Sequence, residues 1–354
     1  MEGEEALVFT GQFPYFFGPE HGALETRARD FVASGSIRER VAALGQSGLL
    51  ERRDTRSLAV TRRQLAYRDP LTDLAFVIQE LGCTPLETAG VLPEVVAAAR
   101  SGQRVLAFGL TEPGAGSDVR AVATTATPDG DGWRLTGTKH FISNAPDCDG
   151  AVVFARTPTG VAAFFVDHPA TEAQGVASHS IGRLLLSHTP ATLVSPRGFA
   201  LAFGTLERCR PSVGAAAVGL AARALAETVA HVRGREQFGA PLAELPVVRL
   251  RLAEMKNDLD IAALATLHAC WTRDQAQGAR VGPVMAFGKV VATEAAQRVI
   301  DTAVQLHGGS GVEEGSVVEM LYRAVRPLRI YEGATDVLLG VIGESVATRK
   351  GAGD

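Results

Sequence analysis

The spacing of apolar residues divides the chain into three blocks that differ in periodicity. From about residue 22 to residue 102, apolar residues recur at steps of three and four, as along the buried face of an amphipathic helix. The same spacing resumes after a break at Pro70. The residues that carry this pattern are Leu24, Ala28, Phe31, Val32, Leu74, Val77 and Leu81. This first block is therefore predicted to be helical.

The middle block, from about residue 104 to residue 200, consists of short runs rich in β-forming residues. These runs are Val105–Phe108, Trp133–Thr136, Ala151–Ala155 and Val161–Val166. The segment Pro128–Gly132 is typical of a hairpin turn. No helical pattern of about 10–15 residues separates the runs, so an antiparallel β-domain is favoured over a Rossmann sheet.

From about residue 203 the apolar spacing is helical again. Pro283 stands at a predicted helix start. The apolar residues after it form one stripe, made of Val284, Phe287, Val291, Ala295 and Val299. The segment from Asp336 to Arg349 has a second stripe, made of Val337, Leu338, Val341, Ile342 and Val346. Long helices joined by short loops predict a helical bundle.

The predicted fold class is therefore a multi-domain α/β/α protein. Residues 1–103 are predicted to form an N-terminal all-helical domain, and residues 104–202 a central antiparallel β-domain of barrel-like form. Residues 203–354 are predicted to form a C-terminal four-helix bundle. A chain of 354 residues is long enough for about two to three such units.

Composition narrows the classes of function. The net charge of −4 argues against nucleic-acid binding, and the basic pairs Arg52–Arg53 and Arg62–Arg63 are interpreted as solvated helix faces. The cysteines contain no Cys-x-x-Cys pair, which argues against disulfides or a zinc site and fits a reducing compartment. The acidic N-terminus does not resemble a signal peptide, and the longest apolar run, Val213–Ala222, is too short to span a bilayer. A cytoplasmic protein without a membrane span is expected.

Two segments more than two hundred residues apart are candidates for one active site. Thr111–Asp118 is a Gly-rich turn with hydroxyls and backbone N–H groups suited to a phosphate or a flavin edge. Ile330–Gly333 presents the Glu332 carboxylate on a loop, where it can act as a base. Alone, the first segment is most often an ordinary turn and the second a solvated glutamate. Their order and the motifs around them favour the functional interpretation.

Several other polar residues have ordinary structural interpretations. His140 and His307 have no second ligand at metal-binding spacing, so no metal site is predicted. Lys139, like His140, is interpreted as a solvated hairpin position. Cys209 and Cys270 lie in apolar helical patterns and are interpreted as inert packing thiols rather than nucleophiles.

The α–β–α order, together with five motifs, resembles the acyl-CoA dehydrogenase family over nearly the whole chain, from about Leu24 to Ile342. Two motifs resemble the family's flavin-contacting strands, one its helix-end signature, one its pyrophosphate-side turn and one its catalytic loop. In that order they are Phe108–Asp118, Gly137–Ala145, Arg235–Leu242, Gln305–Gly311 and Ile330–Gly333. Five motifs in the right order and at about the right spacing form a specific signal.

The resemblance implies an FAD-dependent enzyme that removes hydrogen from the α and β carbons of a saturated acyl thioester. Glu332 is implied as the base that takes the α-proton. The Glu332 backbone N–H and a ribityl hydroxyl of FAD are implied as donors to the enolate oxygen. No side chain accepts hydride, so the reaction requires the flavin. Some family members carry their base at the position of Cys209, but a thiol is a poor general base, so the role falls to Glu332.

The resemblance also implies binding residues and partners. In the family, Arg235 and the Gln305–Gly309 turn belong to the neighbouring subunit's cofactor site, which implies a homodimer or homotetramer. The implied partners are an acyl-CoA or acyl-carrier-protein substrate and electron-transfer flavoprotein or a similar acceptor. The implied cofactor-binding residues are Phe108, Leu110, Thr111, Gly116, Ser117, Phe141, Ile142, Ser143, Arg235, Phe238, Gln305, Gly308, Gly309 and Thr335. The implied substrate-binding residues are Ser117, Arg210 and Gly333.

The chain departs from the family pattern at several places. Ala334 replaces a threonine whose hydroxyl reaches the flavin, with Thr335 as the expected substitute, and Pro246 replaces a glutamine on the adenine side. The segments Val166–Arg210 and Gly90–Gln103 are shorter than usual. Because these segments touch the thioester side, the choice between coenzyme A and a carrier protein stays open. A short acyl group on a carrier protein is expected to be preferred.

Two alternatives also stay open. One is a flavoenzyme of the same fold that oxidises a carrier-protein-bound acyl or hydroxyacyl unit in biosynthesis. The other is a catalytically silent scaffold of this fold, against which the presence of Glu332 argues, since a scaffold needs no carboxylate there.

Overall fold

The computed structural model describes residues 9–175, 180–276, 279 and 281–348, which group into two compact units. One, called here the bundle unit, comprises the described residues of Met1–Asp30, Arg53–Pro70 and Arg210–Asp354. The other, called the sheet unit, comprises those of Phe31–Arg52 and Leu71–Cys209. The domain boundaries expected at residues 103 and 202 stay a prediction.

The first and last blocks of the chain are helical, as predicted. The helices are α1 (Phe9–Gln12), α2 (Pro19–Asp30), α3 (Ile37–Gln46), α4 (Thr55–Arg68), α5 (Pro70–Ala89), α6 (Pro93–Arg100), α7 (Gly198–Gly234), α8 (Pro246–Gln275), α9 (Gly282–His307), α10 (Val317–Val325) and α11 (Thr335–Ala347). The predicted helix from Asp336 to Arg349 corresponds to α11, and Arg349 lies outside the described residues.

Local sequence signals explain where several helices begin. Ser36 and Glu39 form a reciprocal capping box at the start of α3. Asp54 accepts a 2.8 Å hydrogen bond from the Ser57 amide at the start of α4. Proline lies in the first turn of α6, α8 and α9, where its fixed φ suits a helix and its missing N–H costs nothing.

The sheet unit contains a seven-stranded sheet. Its strands are β1 (Leu106–Gly109), β2 (Thr125–Asp129), β3 (Gly132–Ser143), β4 (Gly150–Thr157), β5 (Gly160–Asp167), β6 (Ala170–Gln174) and β7 (Ile181–Ser195). The order is β1-β4-β2-β3-β7-β5, and β5 also pairs with β4. That pairing closes β4, β2, β3, β7 and β5 into a ring, as in a barrel.

The strand predictions are right for the four β-rich runs and for the β2–β3 hairpin, in which Asp129 pairs with Gly132. Two features differ. The sheet is mixed rather than wholly antiparallel, because β1 runs parallel to β4. Strands β6 and β7 are absent from the prediction, since β7 carries many exposed polar positions in its second half and lacks a regular apolar alternation.

Small residues set the helix spacing in the bundle unit. A Cβ atom added at Gly288 of α9 would lie 2.5 Å from the Ala269 Cβ and 3.0 Å from the Ala265 carbonyl oxygen of α8. A Cβ atom at Gly214 of α7 would lie 2.5 Å from the Thr266 hydroxyl oxygen. Real side chains do not approach so closely, so α8 packs here against helices that have no side chain at the contact point.

Both predicted apolar stripes of the bundle are partly wrong. Phe287 is 40% exposed, whereas its neighbours Ala286 and Gly288 are buried, because α9 packs with a face different from the predicted one. On α11, Leu338 is buried but Val337 and Val341 are exposed. In the first block, Val32 is 75% exposed and lies beyond the end of α2. The misplaced residues leave apolar surface exposed on α9 and α11.

Arg62 and Arg63 are not the solvated helix face that the sequence predicted. Both are buried on α4. Arg62 donates a hydrogen bond of 3.2 Å to the Ser212 hydroxyl, and Arg63 lies 3.9 Å from the buried Glu25 carboxylate and over the Phe9 ring. The opposite charge and the polar partner come from distant parts of the bundle unit, which a local charge pattern does not reveal.

Helix α7 is long and apolar enough, by length and composition alone, to cross a membrane. The sequence expectation considered only the run Val213–Ala222 and missed that the helix has 37 residues. In the structure 67% of its most apolar window is buried, and a buried core helix passes the same test. Length and composition are therefore weak evidence for a membrane span.

Candidate active site

The Ile330–Gly333 loop of the bundle unit precedes α11 and has an unusual backbone. Glu332 has a φ of 52° and Gly333 a φ of 106°, both in the left-handed region. A Cβ atom at Gly333 would lie 2.8 Å from the Leu338 side chain, so glycine is required there on two grounds. Left-handed backbone at a glutamate is disfavoured and is concentrated at functional sites.

Two cationic side chains hold this loop by successive carbonyl groups. Arg210 Nε of α7 donates a 2.8 Å hydrogen bond to the Glu332 carbonyl oxygen. Lys289 Nζ of α9 donates a 2.6 Å hydrogen bond to the Gly333 carbonyl oxygen. Charged donors form stronger hydrogen bonds than neutral ones, so the two successive peptide groups Glu332–Gly333 and Gly333–Ala334 are firmly anchored.

The Glu332 side chain combines burial with nearby positive charge. Its Oε2 atom is shielded from solvent. Lys289 is fully buried, and burial lowers its pKa to about 8, while attraction by Glu332 and Glu294 opposes that shift and Arg210 adds to it. A desolvated carboxylate is a stronger base than a solvated one. Glu332 is thus the carboxylate of this loop equipped to accept a proton.

Thr335, the expected substitute for the missing hydroxyl at Ala334, forms hydrogen bonds within the bundle unit. Its hydroxyl donates a 2.7 Å hydrogen bond to Glu294 Oε1, which also accepts a 2.8 Å hydrogen bond from Arg329 Nε. The single hydroxyl hydrogen is therefore directed at Glu294, and the oxygen can serve a ligand as an acceptor. The predicted contact of Thr335 with the cofactor stays a prediction.

In the sheet unit, the Thr111–Asp118 turn is open and poor in internal partners. Backbone hydrogen bonds of 3.0 and 3.1 Å between Glu112 and Ala115 close it. A Cβ atom at Gly114 or Gly116 would have no atom within 4 Å. Across the part of the chain that the structure describes, the hydroxyls of three predicted cofactor-binding residues form no hydrogen bond. These are Thr111, Ser117 and Ser143. Open backbone and unused hydroxyls fit a flavin or phosphate ligand.

Lys139 supports this turn and is not the solvated hairpin residue that the sequence predicted. It is fully buried, and its Nζ donates hydrogen bonds of 2.7 Å to Glu112 Oε1 and 3.2 Å to the Leu110 carbonyl oxygen. Glu112 also accepts hydrogen bonds from the Ala123 and Thr124 amides. Burial would raise the pKa of Glu112, but its hydrogen bonds, that of Lys139 above all, keep the pKa below its usual value. Burial lowers the pKa of Lys139 to about 8.

The remaining residues of the two segments that resemble flavin-contacting strands differ in exposure. His140 is half-buried and accepts a 2.8 Å hydrogen bond from Arg183 Nε, so it too is not a solvated position. Phe141 has a φ of 55° and is 58% exposed, an unusual state for an aromatic residue. Ile142 and Leu110 are buried, so only their backbone groups can face a ligand. Phe108 is partly buried and packs on Phe154, 5.1 Å between ring centroids.

The predicted diphosphate-binding residues lie at the ends of two helices of the bundle unit. Arg235 follows α7, and Phe238 lies in the turn between the short strands β8 (Glu236–Gln237) and β9 (Ala240–Pro241), with a φ of 54° and 93% exposure. Gln305, Gly308 and Gly309 end α9 and are exposed. A Cβ atom at either glycine would meet nothing within 4 Å.

An imidazole pair that sequence analysis missed brings these two helix ends together. The rings of His231 on α7 and His307 on α9 stack with their centroids 4.3 Å apart. Burial, together with the charges of His307 and Arg235, lowers the pKa of His231. In the sequence, this pair is indicated by the position of His231, one helical turn before Arg235. The stacking on His307 of α9 is a tertiary contact, which a single sequence does not reveal.

In the described ranges, the buried thiols and the metal-binding residue types give no indication of a reactive cysteine or a metal site. Cys209 and Cys270 are buried and unoxidised, as packing thiols are, and burial raises the pKa of Cys270. Within residues 9–175, 180–276, 279 and 281–348, no group of three His, Cys, Asp or Glu side chains is close enough to hold a metal ion.

Comparisons with known proteins agree with the sequence motifs. A family model described as "Acyl-CoA dehydrogenase, middle domain" matches residues 107–187, and one described as "Acyl-CoA dehydrogenase, C-terminal domain" matches residues 196–347. The 3-(aryl)acrylate reductase of Clostridium sporogenes is 35% identical over 266 residues, 69% of each chain. Short-chain specific acyl-CoA dehydrogenase of Bos taurus is 35% identical over 260 residues, 68% of this chain and 63% of that protein.

Solved structures show the same fold. Butyryl-CoA dehydrogenase of Megasphaera elsdenii has a TM-score of 0.83 at 25% identity, covering 94% of this chain and 99% of its own. A glutaryl-CoA dehydrogenase of Mycobacterium smegmatis in complex with FADH2 has a TM-score of 0.84 at 22% identity, covering 97% and 98%. Since the relatives are dehydrogenases and reductases, the scaffold alternative is set aside. The chain belongs to the acyl-CoA dehydrogenase family and is a flavin oxidoreductase whose cofactor is FAD.

Proposed function

We propose that this enzyme removes hydrogen from the α and β carbons of a saturated acyl thioester, with Glu332 as the base. The observation that carries the proposal is the anchored loop, in which Arg210 holds the carbonyl oxygen of a left-handed glutamate and Lys289 holds the carbonyl oxygen of the residue after it. FAD, when bound, supplies the acceptor for the β-hydride. The α-proton passes to the Glu332 carboxylate, and the electron pair left behind forms the carbon–carbon double bond.

The loop's own groups account for the proton-transfer half of the reaction. Burial of Glu332 Oε2 makes the carboxylate a stronger base toward a weakly acidic α-proton. The Glu332 backbone N–H is proposed to donate to the thioester carbonyl oxygen, where negative charge develops as the proton leaves. Because Arg210 and Lys289 hold the neighbouring carbonyls, that N–H is oriented before substrate arrives.

The cofactor-binding roles inferred from sequence are part of the proposal. The open Thr111–Asp118 turn, with Ser117, and the exposed ring of Phe141 are proposed to contact the flavin and the thioester arm. Arg235 and the glycines that end α9 are proposed to bind the diphosphate, for which exposed backbone N–H groups and a guanidinium are suitable partners.

The reverse reaction is a second candidate, favoured by the names of relatives. The Clostridium sporogenes relative is a 3-(aryl)acrylate reductase, and a relative in Acetobacterium woodii, 34% identical over 263 residues, is a subunit of a caffeyl-CoA reductase–Etf complex. In that direction Glu332 returns the proton to the α carbon. We propose the dehydrogenase direction with electron-transfer flavoprotein, or a similar protein, as the electron acceptor.

The thiol carrier and the acyl group are proposed by class. Several relatives are named for acyl-CoA substrates, which supports an acyl-CoA substrate, whereas the short Val166–Arg210 and Gly90–Gln103 segments support a carrier protein. A biosynthetic role on a carrier-bound acyl or hydroxyacyl unit stays the alternative to acyl-CoA metabolism. A cytoplasmic location is proposed on the basis of the free cysteines.

A homo-oligomer is also proposed. Phe238 projects from the β8–β9 hairpin with 93% exposure, and several apolar side chains on two helices of the bundle unit are exposed. Those on α8 and α11 are Val247, Leu250, Ile261, Leu264, Trp271, Val337, Leu339, Val341 and Val346. Large exposed apolar surface is typical of an interface. A second copy of the chain, as a dimer or tetramer, is the proposed occupant.

The Glu332→Gln variant tests the role of the base. The amide keeps the size of the side chain and the backbone donor but does not accept the proton. The protein should fold and bind FAD, while anaerobic reduction of its flavin by a saturated acyl thioester should slow by about 10²–10⁴-fold. Reduction at the wild-type rate would show that Glu332 is not the base.

A further inference from the structure

Lys289 is an unusual residue for the middle of a packed helix. It lies on α9 between Gly288 and Val290, and its side chain is fully buried. Burial of an ammonium group is costly unless a partner compensates for the lost water. A methionine would fill the same space without that cost, so stability alone does not explain a lysine at this position.

The partner of Lys289 is a backbone atom of the candidate catalytic loop. Its Nζ lies 2.6 Å from the carbonyl oxygen of Gly333, the residue directly after the proposed base. The residues on either side of Lys289 along α9 also touch this region, since Ala286 and Val290 pack with Leu338, against which Gly333 lies. One face of α9 therefore contacts the loop both through apolar packing and through a charged hydrogen bond.

We propose that Lys289 is a positioning residue for the base. Its ammonium group holds the Gly333 carbonyl, which fixes the left-handed backbone of Glu332 and the direction of its carboxylate. This inference rests on the proposed role of Glu332. In this proposal the buried lysine of α9 keeps a disfavoured loop conformation populated, together with Arg210, which holds the carbonyl oxygen of the preceding peptide group.

The charge of Lys289 has a second consequence. The charged groups that face it are Glu332 of the loop, Arg210 of α7, Glu294 of α9 and Arg329 of the turn before the loop. Because the attraction between Lys289 and Glu332 is mutual, the ammonium also stabilises the negative charge of the Glu332 carboxylate. Since burial lowers the pKa of Lys289 to about 8, most of this support is present at neutral pH, and it is lost as the pH rises through about 8.

The first test measures the loop in the FAD-loaded enzyme without substrate. Hydrogen–deuterium exchange is followed in the peptide 329–338, whose Ile330, Tyr331 and Leu338 amides are hydrogen-bonded. Lys289→Met should exchange about tenfold faster there, as loss of a charged hydrogen bond permits. The matched control is Lys256→Met, which removes an exposed lysine paired with Asp260 on α8 and should leave the peptide unchanged. Equal exchange in wild type and Lys289→Met would overturn the proposal.

The second test separates positioning from a merely structural role. Because the buried charge is costly, Lys289→Met should melt at the wild-type temperature or above it, while kcat falls about tenfold or more and KM changes little. In Lys289→Met, the acid limb of the pH profile of kcat should move to higher pH. In Lys289→Arg, which keeps the positive charge, the acid limb should move less. A lower melting temperature together with an unchanged acid limb would show that Lys289 is only a packing residue.

If no acyl thioester reduces the wild-type flavin, the proposed function fails. The exchange test, which uses no substrate, still decides the role of Lys289.

Discussion

Arg210 Nε and the carbonyl oxygen of Glu332 are joined by a hydrogen bond of 2.8 Å, although the residues are 122 positions apart. The bond spans from Arg210 of α7 to the loop before α11, and both residues lie in the bundle unit. The atom that accepts it is the backbone carbonyl oxygen of Glu332. Arg210 thus anchors the backbone position of the glutamate.

Replacing Arg210 by glutamine should slow flavin reduction without unfolding the protein. The amide is shorter and uncharged, so the Glu332 carbonyl loses a charge-assisted bond, which corresponds to roughly a 10–100-fold loss in rate. Rapid-mixing measurement of flavin reduction checks this. Arg223→Gln is the control, since Arg223 pairs with Glu227 further along α7 and should be without effect. An unchanged rate in Arg210→Gln would contradict an anchoring role.

Gly333→Ala should destabilise the protein and lower its activity together. The added methyl group must occupy a φ of 106° and would lie 2.8 Å from Leu338, a combination that costs roughly 1–3 kcal/mol. Thermal denaturation and flavin reduction are the measurements. Gly340→Ala on α11 is the matched control, because nothing lies within 4 Å of its added Cβ and alanine favours a helix. Equal melting temperatures for the two variants would show that the loop is not strained.

Lys139→Met should weaken FAD binding. The substitution leaves the buried Glu112 carboxylate without its strongest partner and frees the Leu110 carbonyl, so the turn that follows β1 loses its support. FAD content after dialysis should fall about tenfold or more. In wild type, Lys139 is protonated below about pH 8 and loses its proton above that pH, so FAD affinity should decline as the pH rises through about 8. This account would be refuted if the FAD affinity of the wild type did not depend on pH and the Lys139→Met variant had normal FAD content.

Arg235→Ala should lower FAD affinity by roughly tenfold, because it removes the proposed counter-charge of the diphosphate. Arg233→Ala is the control, since Arg233 is also exposed near the end of α7 but lies outside the family motif. Light scattering on the same samples gives the oligomeric state. A stable monomer with full FAD occupancy would contradict both the role of Arg235 and the proposed assembly.

The thiol carrier is tested by comparing one short acyl group on two thiols. If the shortened segments reduce the contacts available to a nucleotide, a carrier protein must supply binding energy elsewhere, and kcat/KM should be higher for the carrier-bound group. An equal value, or a preference for coenzyme A, would place the enzyme in ordinary acyl-CoA metabolism.

The sequence predicted the local parts of this molecule well. The hairpin at Pro128–Gly132, the four β-rich runs and the loop carrying Glu332 all follow from turn chemistry and short-range patterns. The longest strand, β7, was missed because its polar outer positions hide the inward-facing ones. Short-range signals are sufficient where a segment's conformation depends on its own residues.

Buried charges could not be predicted in the same way. Lys139 is buried because Glu112, 27 positions earlier, meets it from the turn after β1, and Arg62 because Ser212 meets it from another helix. Whether a charged side chain is buried depends on partners that only the tertiary fold supplies. Lys289 belongs to the same class, so the anchoring of the catalytic loop was invisible in a single sequence.

The close approach of α8 to α9 at Gly288 has a consequence for protein engineering. Gly288 directly precedes Lys289, so the close contact with α8 and the hydrogen-bond donor to the Gly333 carbonyl are adjacent residues. Any larger side chain at Gly288 must push α9 away from Ala265 and Ala269, and the lysine moves with it. Mutant libraries that aim at new substrates should therefore leave this contact untouched, because one added methyl group there would displace the lysine that holds the loop of the proposed base.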